Sequence, residues 1–320
     1  MSTNDDDDKF NRSSADAFRK KSGLDVTFGT LMKWMHKDDD KKTTDRLSKQ
    51  TVQGISRMVE LNFPGALPTN RMAKQLHTIL SKHGYTQDNT LVATALCCDE
   101  LNRQLENDVC KHCCADGNGA YHMGGLAGFC FGGVVGFGNM CHHVPQSGHA
   151  LVVYGPHVGI DWDFQFGNVP RSSGRSECCG PAKLAYDYSL QVHQGKRAPV
   201  GNPTDIIETQ QTWVCQQVHA VSDRIRKSER DAQVELPYAL YDAQQDIMLR
   251  ILDKAHGELT EGKIALLGGI TINTPEGIPE YFLPKKFGIY QNGKLIQNLL
   301  DPLLAARAPI AVRTQRPDQS

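Results

Sequence analysis

The sequence has almost no net charge and no long apolar run, and each absence excludes a class of function. Its 320 residues carry 35 Lys and Arg against 36 Asp and Glu, which gives no electrostatic basis for binding nucleic acid or an anionic membrane. The longest apolar-looking stretch, from Gly124 onward, is too short and too glycine-rich to span a bilayer, because spanning takes about 20 apolar residues. We therefore expect no nucleic-acid partner and no membrane association.

Signs of secretion are also missing. The first residues show neither the basic start nor the apolar stretch of a secretory signal, and they lack the Arg/Ser-rich, acid-poor character of a transit peptide. The chain has ten cysteines, but several are adjacent in sequence, and adjacent cysteines rarely pair with each other. We expect a soluble protein in a reducing compartment, where thiolates are available for metal chemistry.

The composition divides the chain into one main unit and two tails. An acidic run, Asp5 to Asp8, lies in a polar stretch for which we predict a disordered tail over 1–22. A single α/β zinc-binding domain is predicted over 23–310 and a flexible tail over 311–320. No internal repeat is present.

Apolar runs alternate with helical periodicity along the domain. This alternation predicts an α/β fold with a mostly parallel central sheet flanked by helices. The predicted helices cover 45–61, 69–83 with Thr69 as cap and Gly84 as stop, the segment after Asp99, a helix opened by Gly180-Pro181, a long helix capped near Thr204 that includes Ile207, and 247–252. The predicted strands cover 90–96, 149–154 and 263–272, with a hairpin at Asn292-Gly293 and loops over 165–176 and 195–203.

Three short segments each end in a side chain that binds soft metals. They are Cys97-Cys98, His157 and Cys178-Cys179. The first two follow predicted strands, whose carboxyl ends meet at one edge of an open α/β sheet. Two thiolates and one imidazole leave one position of a tetrahedral zinc open, as in catalytic rather than structural zinc sites. The sequence thus predicts a Zn²⁺ site formed by Cys97, His157 and Cys179.

Within each cysteine pair the choice of ligand is less constrained. Cys97 is favoured over Cys98 because it lies two residues before Asp99, so that their side chains share one side of an extended segment. Cys179 is favoured over Cys178 because it directly precedes a predicted helix, whose N-terminal positive charge favours a thiolate. Cys98 and Cys178 remain alternatives.

Asp99 and Arg103 are the candidate catalytic residues. They are four residues apart, so they can pair on one face of a helix that starts near Asp99. A carboxylate held by arginine stays ionised and can accept a hydrogen bond from zinc-bound hydroxide, a nucleophile available at neutral pH. The alternative is a helix-start acid with a surface ion pair of little energetic value. We interpret the set as a hydrolyase site and favour carbonic anhydrase, with Phe129, Phe131 and Phe137 lining an apolar pocket for carbon dioxide.

Five motifs carry a family resemblance. In order between about residues 45 and 305 they are CCDELNR, GGLAGFCFGGVVGFG, YGPHVGID, CCGPA and LLGGITINTPEGIPEYF. They are similar to the limiting-CO2-inducible B/C family of algae and some microbes, a β-type (also labelled θ-type) carbonic anhydrase group. The resemblance implies reversible hydration of CO2 to bicarbonate, an α/β fold and a zinc site like that of β-carbonic anhydrases.

The resemblance also assigns roles to residues and implies an assembly. It places the family's zinc ligands on Cys97, His157 and Cys179, and the aspartate of its Asp–Arg dyad on Asp99, with Arg103 as the partner. It implies a homodimer, or a hetero-oligomer with a sister subunit, and we expect the helices after residue 204 to build the contact. The compartment is the cytoplasm or, if a transit sequence was removed, the chloroplast stroma.

Several alternatives stay open on the sequence alone. A non-catalytic zinc-binding homologue, which binds bicarbonate or assembles with a partner subunit in inorganic-carbon capture, would show the same ligands. The paired cysteines also allow a redox sensor. Cys110 and Cys113, with His112 and Cys114, resemble half of a structural zinc site, but a cysteine-rich loop without metal is favoured because no second CxxC follows. Asp161 or Asp163 is either a loop acid or an orienting partner of His157.

Overall fold

The structure is a computed structural model that describes residues 41–115, 119–171, 174–203, 206–259 and 261–305. The predicted tails over 1–22 and 311–320, and the predicted helix cap at Thr204, lie outside these ranges.

The described strands form an eight-stranded mixed sheet and a separate two-stranded hairpin. The strands are β1 (Leu67–Pro68), β2 (Thr90–Ala95), β3 (Tyr121–His122), β4 (His149–Tyr154), β5 (His157–Gly159), β6 (Asn168–Arg171), β7 (Gly174–Glu177), β8 (Ile264–Asn273), β9 (Tyr281–Gln291) and β10 (Lys294–Asn298). The sheet order is β1-β9-β8-β4-β2-β3, with β10 beside β9 and β5 beside β8. The pairs β2/β3, β2/β4, β4/β8 and β5/β8 are parallel, whereas β9 is antiparallel to β1, β8 and β10.

Helices cover both faces of this sheet, so the predicted fold class is confirmed. The helices are α1 (Lys41–Asn62), α2 (Thr69–Ser81), α3 (Arg103–Cys113), α4 (Gly133–His142), α5 (Gly180–His193), α6 (Thr209–Lys227), α7 (Ala232–Lys254) and α8 (Leu300–Ala305). Two short 3₁₀ turns, Glu100–Asn102 and Leu126–Gly128, lie between β2 and α4.

The core has three parts, which follow from the alternation of side chains along the strands. On one face, α1, α4 and α7 pack against the sheet through residues such as Ile55, Phe137 and Met248. On the other face, α2 and α3 pack through residues such as Leu76 and Val109. The third cluster joins α5, α6 and α7 to the segment around Phe129, and it contains Cys97 and Cys179.

One predicted loop and one predicted helix start are wrong. The segment 165–176 contains the antiparallel hairpin β6/β7 rather than a continuous loop. Backbone hydrogen bonds join Gly167 to Gly159 and Cys178 to Gly167, so neighbouring chain segments, rather than local sequence pattern, hold the hairpin. Ile207 is 84% exposed and lies before α6, which begins at Thr209, so the predicted helix that includes Ile207 starts later than expected.

The start of α2 also differs from its prediction. Pro68 occupies the cap position, and Thr69 is the first helical residue. The Thr69 hydroxyl donates to the Asp108 carboxylate on α3, at 2.5 Å, instead of capping its own helix. The Thr69 hydroxyl therefore bonds to a residue distant in sequence rather than to the backbone of its own helix, as the sequence pattern predicted.

Candidate metal centre

The three predicted ligands lie at the ends of strands and at the start of one helix. Cys97 lies two residues beyond β2, His157 is the first residue of β5, and Cys179 is the N-cap residue of α5. The parallel pairings of β2 with β4 and of β5 with β8 bring these chain segments to the same edge of the sheet.

The ligand atoms of Cys97, His157 and Cys179 lie within 4.8 Å of one another, and all three residues are buried. The two sulfur atoms are 3.8 Å apart. In a tetrahedral site with Zn–S bonds of about 2.3 Å, two sulfurs are separated by about 3.8 Å. The spacing and the S₂N donor set therefore fit a zinc ion.

His157 has one ring nitrogen fixed and one free. Its Nδ1 lies 2.9 Å from Oδ1 of Asn273, and the Asn273 Nδ2 donates to the carbonyl of Leu101 at 2.9 Å. That donation fixes the amide orientation, so Nδ1 is the nitrogen that carries the proton. Nε2 is buried and has no hydrogen-bond partner among the described residues, so it is the ring nitrogen that could bind a metal once it has lost any proton.

The neighbouring cysteines occupy different positions. Cys98 is exposed, whereas Cys97 faces Cys179. The Cys178 sulfur lies 3.1 Å from Nδ1 of His157 and 3.2 Å from Oδ1 of Asn273, beside the nitrogen that is already hydrogen-bonded. The structure thus brings together the favoured cysteine of each pair.

Protons are distributed unequally over the cluster. A hydrogen bond from the Cys179 thiol, assisted by His157, lowers the pKa of Cys97 to about 3 despite burial. The same hydrogen bond and burial raise the pKa of Cys179 well above its usual value. Burial lowers the pKa of His157, but the sulfurs of Cys178 and Cys179 raise it by more, and the net shift is upward. Cys97 is therefore the group that already carries negative charge, and a metal would have to displace the Cys179 proton.

Asp99 lies at the edge of the cluster and does not pair with Arg103. Its Oδ1 accepts from the Leu101 amide at 3.0 Å and caps the first 3₁₀ turn. The pKa of Asp99 is raised overall, because burial outweighs the lowering by the Leu101 amide and the charge of His157.

Arg103 points elsewhere. It is 57% exposed, its Nη1 donates to Oε1 of Glu106 at 3.3 Å, and His122 lies at 3.4 Å. No ion pair joins Arg103 to Asp99 in the described part of the chain, so the predicted pairing is wrong. The reason is that residues 100–102 form a 3₁₀ turn and α3 starts only at Arg103, so the two residues are not four apart on one α-helical face.

Asn273 is a site residue that the sequence analysis missed. Its signal was its place at the end of a buried strand, β8, on the edge where the ligands meet. Asp161, considered there as a partner of His157, has an Oδ1 that accepts from the amides of Asp163 and Gln165, both at 2.9 Å, and so closes its own turn.

Glycines allow the backbone segments around the ligands to approach closely. A Cβ atom at Gly128 would collide with the carbonyl of Gly155, and one at Gly155 would collide with the carbonyl of Gly269. Both glycines have positive φ, of 83° and 146°. The segment before Phe129, the turn before β5 and strand β8 can therefore stack directly beside the cluster.

Two of the three phenylalanines predicted to line a pocket belong to the apolar cluster around the two cysteines. Phe129 packs in the cluster that contains Cys97 and Cys179, and Phe131 lies against it with ring centroids 6.2 Å apart. Phe137 belongs instead to the separate core cluster in which α1, α4 and α7 pack against the sheet, so its predicted place at the site is wrong. A cavity of about 10 Å³, lined in part by His157 and Cys179, has room for about one water molecule.

Within the described residues, this is the one group of three or more potential ligands that converges. The half zinc site suggested by Cys110 and Cys113 gains no further converging ligands from the part of the chain that the structure describes. The described helices include none with the length and apolar character needed to cross a membrane.

Sequence and structure comparisons identify the relatives of this chain. A family model described as limiting CO2-inducible proteins B/C beta carbonic anhydrases matches residues 66–291. The chain belongs to this family. Curated protein sequences gave no match.

Solved structures of the family share the fold. PtLCIB4, described as a homolog of the limiting CO2-inducible protein LCIB, is 36% identical with a TM-score of 0.70, over 76% of this chain and 99% of its own. A histidine-to-alanine mutant of PtLCIB4 is 35% identical with a TM-score of 0.70, over 76% and 98%. LCIB itself is 19% identical with a TM-score of 0.54, over 74% and 95%, which is a likeness of fold alone.

Proposed function

We propose that the chain is a zinc-dependent carbonic anhydrase that hydrates CO2 reversibly to bicarbonate. The observation that carries this proposal is the convergence of two cysteine sulfurs, 3.8 Å apart, with a histidine whose buried Nε2 has no other partner among the described residues. Membership of a family described as beta carbonic anhydrases supports the same chemistry.

In this proposal Cys97, His157 and Cys179 hold the ion, and three protein ligands leave one position open. Zinc bound there supplies Lewis acidity, which lowers the pKa of water from 15.7 to about 7. The two sulfurs neutralise the dication, and Asn273 keeps Nε2 of His157 directed toward the centre through its bond to Nδ1.

Asp99 is the proposed catalytic acceptor. It lies two residues after Cys97, and the charges of Cys97 and His157 both act on its pKa, which supports a position near the ligands. Oδ1 is used by the Leu101 amide, and Oδ2 has no hydrogen-bond partner among the described residues. Asp99 can therefore use Oδ2 to accept a hydrogen bond from the attacking water and orient it toward carbon dioxide.

The substrate is small and uncharged, so its site needs apolar walls rather than charge. Ala127, Phe129 and Leu240 are buried in the same cluster as Cys97 and Cys179 and would supply them. Gln244 fixes one wall by donating from Nε2 to the carbonyl of Ala127 at 2.7 Å.

A hydration assay and a metal analysis on one preparation test the proposal. We expect one zinc per chain and a rate of CO2 hydration, followed by stopped flow with a pH indicator, that acetazolamide inhibits. Stoichiometric zinc without a rate would instead favour the non-catalytic homologue that binds bicarbonate or a partner subunit. Reactive thiols without zinc would favour the redox sensor.

We also propose that the protein forms a homodimer through the helices after residue 204. Large apolar side chains are exposed around the start of α6, namely Ile206, Ile207 and Trp213. Light scattering coupled to size exclusion should give twice the chain mass of 35.4 kDa. A monomer at micromolar concentration would contradict the dimer, and a hetero-oligomer with a sister subunit would then be the remaining assembly.

A further inference from the structure

A second cavity lies away from the metal centre, between α7 and the β9–β10 hairpin. It measures about 250 Å³, and the polar residues of its lining are Gln245, Lys285, Lys286, Tyr290 and Asn298. Lys286 pairs with Gly268 in β8, five residues before Asn273. At about 3.3 Å per residue, this places the cavity about 16 Å along the strand from the residue that contacts His157.

A β-bulge brings two consecutive lysines to this cavity. Neighbouring residues of a regular strand face opposite sides of a sheet. The register of β9 on β8 shifts between Gly268, opposite Lys286, and Gly269, opposite Pro284, so Lys285 is the extra residue. Because a bulge redirects a side chain, Lys285 and Lys286 both line the same cavity.

Neither lysine of the cavity forms an ion pair with another described residue. The Lys285 ammonium lies 5.5 Å from the centroid of the Tyr238 ring. The acids beside Gln245 on α7 are already paired, Asp242 with Arg224 and Asp246 with Arg250. Both lysines therefore line the cavity without an ion pair to another described residue.

The two amides of the cavity also present donors. Oε1 of Gln245 accepts from the Tyr241 hydroxyl at 2.7 Å, and Oδ1 of Asn298 accepts from the Leu300 amide at 3.1 Å. Their NH₂ groups have no hydrogen-bond partner among the described residues. With both carbonyl oxygens used, the lining offers the two lysines and two amide donors beside the Tyr290 hydroxyl.

We propose that this cavity binds a phosphate group, either as inorganic phosphate or as the phosphoryl end of a small ester. A lining made of donors with two cations selects a compact dianion, since charge-assisted hydrogen bonds to phosphate oxygens are among the strongest that proteins make. A monoanion such as acetate gains less from the second lysine. The proposal does not depend on the chemistry of the zinc site.

The test is a calorimetric titration of the zinc-loaded full chain with inorganic phosphate, at constant ionic strength set by chloride. Asn298→Asp and Gln245→Glu are the informative variants. Each keeps the oxygen that accepts from Leu300 or Tyr241 and replaces only the NH₂ donor by an oxygen that repels an anion. Lys286→Gln removes one cation, and Lys294→Gln on exposed β10 is the control with the same change in net charge.

We expect one phosphate per chain, bound at least tenfold more weakly by Asn298→Asp, Gln245→Glu and Lys286→Gln, and within twofold of wild type by Lys294→Gln. Circular dichroism and zinc content should be the same for all. Glycerol 3-phosphate distinguishes the sources: tighter binding than phosphate assigns the site to esters, and weaker binding assigns it to the free ion.

Three results would overturn the proposal. The first is no saturable binding of either phosphate compound. The second is binding that survives Asn298→Asp, which would place the anion elsewhere, for example at the zinc. The third is acetate binding as tight as phosphate binding, because a site with two lysines should bind a dianion more tightly than a monoanion.

Discussion

His157 Nδ1 and Asn273 Oδ1 lie 2.9 Å apart, and Asn273 is itself held by the Leu101 carbonyl. One amide thus links the carboxyl end of β8 to the 3₁₀ turn that follows the Cys97 segment. Because the link fixes which ring nitrogen is protonated, it couples the fold to the ligand that the proposed metal would use.

Replacing Asn273 should weaken metal binding without removing a ligand. We expect Asn273→Ala to lower zinc affinity about 10- to 100-fold, because the ring of His157 loses its orienting partner. Competition with a chelator of known affinity measures this effect. Asn70→Ala, at the exposed start of α2, is the control and should leave the affinity unchanged. Equal affinities for wild type and Asn273→Ala would show that the amide does not position the ligand.

The two cysteine pairs predict a clear pattern of zinc loss. Cys97→Ser and Cys179→Ser should each abolish stoichiometric zinc, since each removes one of two sulfurs that lie 3.8 Å apart. Cys98→Ser should keep the metal because Cys98 is exposed, and Cys178→Ser should keep it because that sulfur faces Nδ1 rather than Nε2. Metal analysis of the four purified variants shows which cysteines are needed for zinc binding. Retention of zinc by Cys179→Ser together with its loss from Cys178→Ser would reverse the assignment.

Asp99 and Arg103 should differ sharply in their effect on hydration. We expect Asp99→Asn to lower the rate at least about 100-fold, in the range typical of a lost acid–base group. Arg103→Ala should lower it by less than tenfold, because its guanidinium is exposed and engaged with Glu106. Glu100→Gln, the neighbouring carboxyl in the same turn, is the matched control. A loss for Arg103→Ala as large as that for Asp99→Asn would show that the arginine acts on the aspartate during turnover.

Zinc affinity should rise with pH between about 6 and 8. The pKa of Cys97 is lowered to about 3, so this thiol is already ionised in that range and contributes no pH dependence. The pKa of Cys179 is raised by its hydrogen bond to Cys97 and by burial, so binding must release its proton, and lower pH opposes that release. Calorimetry in buffers of different ionisation enthalpy should give at least one proton released per zinc. A value of zero would contradict this distribution of protons.

Local sequence determined the main elements and identified the three side chains that converge. Apolar runs defined β2, β4 and β8 because buried parallel strands are apolar on both faces. The residue before the Gly-Pro that opens α5 was correctly placed at a helix N-terminus, since proline is tolerated in the first turn. These features depend on a few neighbouring residues, so the sequence shows them directly.

Only the tertiary structure determined which residues distant in sequence contact one another. The β6/β7 hairpin, the hydrogen bond from Thr69 to Asp108 and the contact of His157 with Asn273, 116 positions away, all join segments that no local pattern relates. Arg103 pairs with Glu106 because the chain passes through a 3₁₀ turn before α3 begins, a difference of less than one residue per turn. Sequence periodicity identified which side chains can bind a metal, but only the packed sheet edge brings two sulfurs and one nitrogen into range of a single ion.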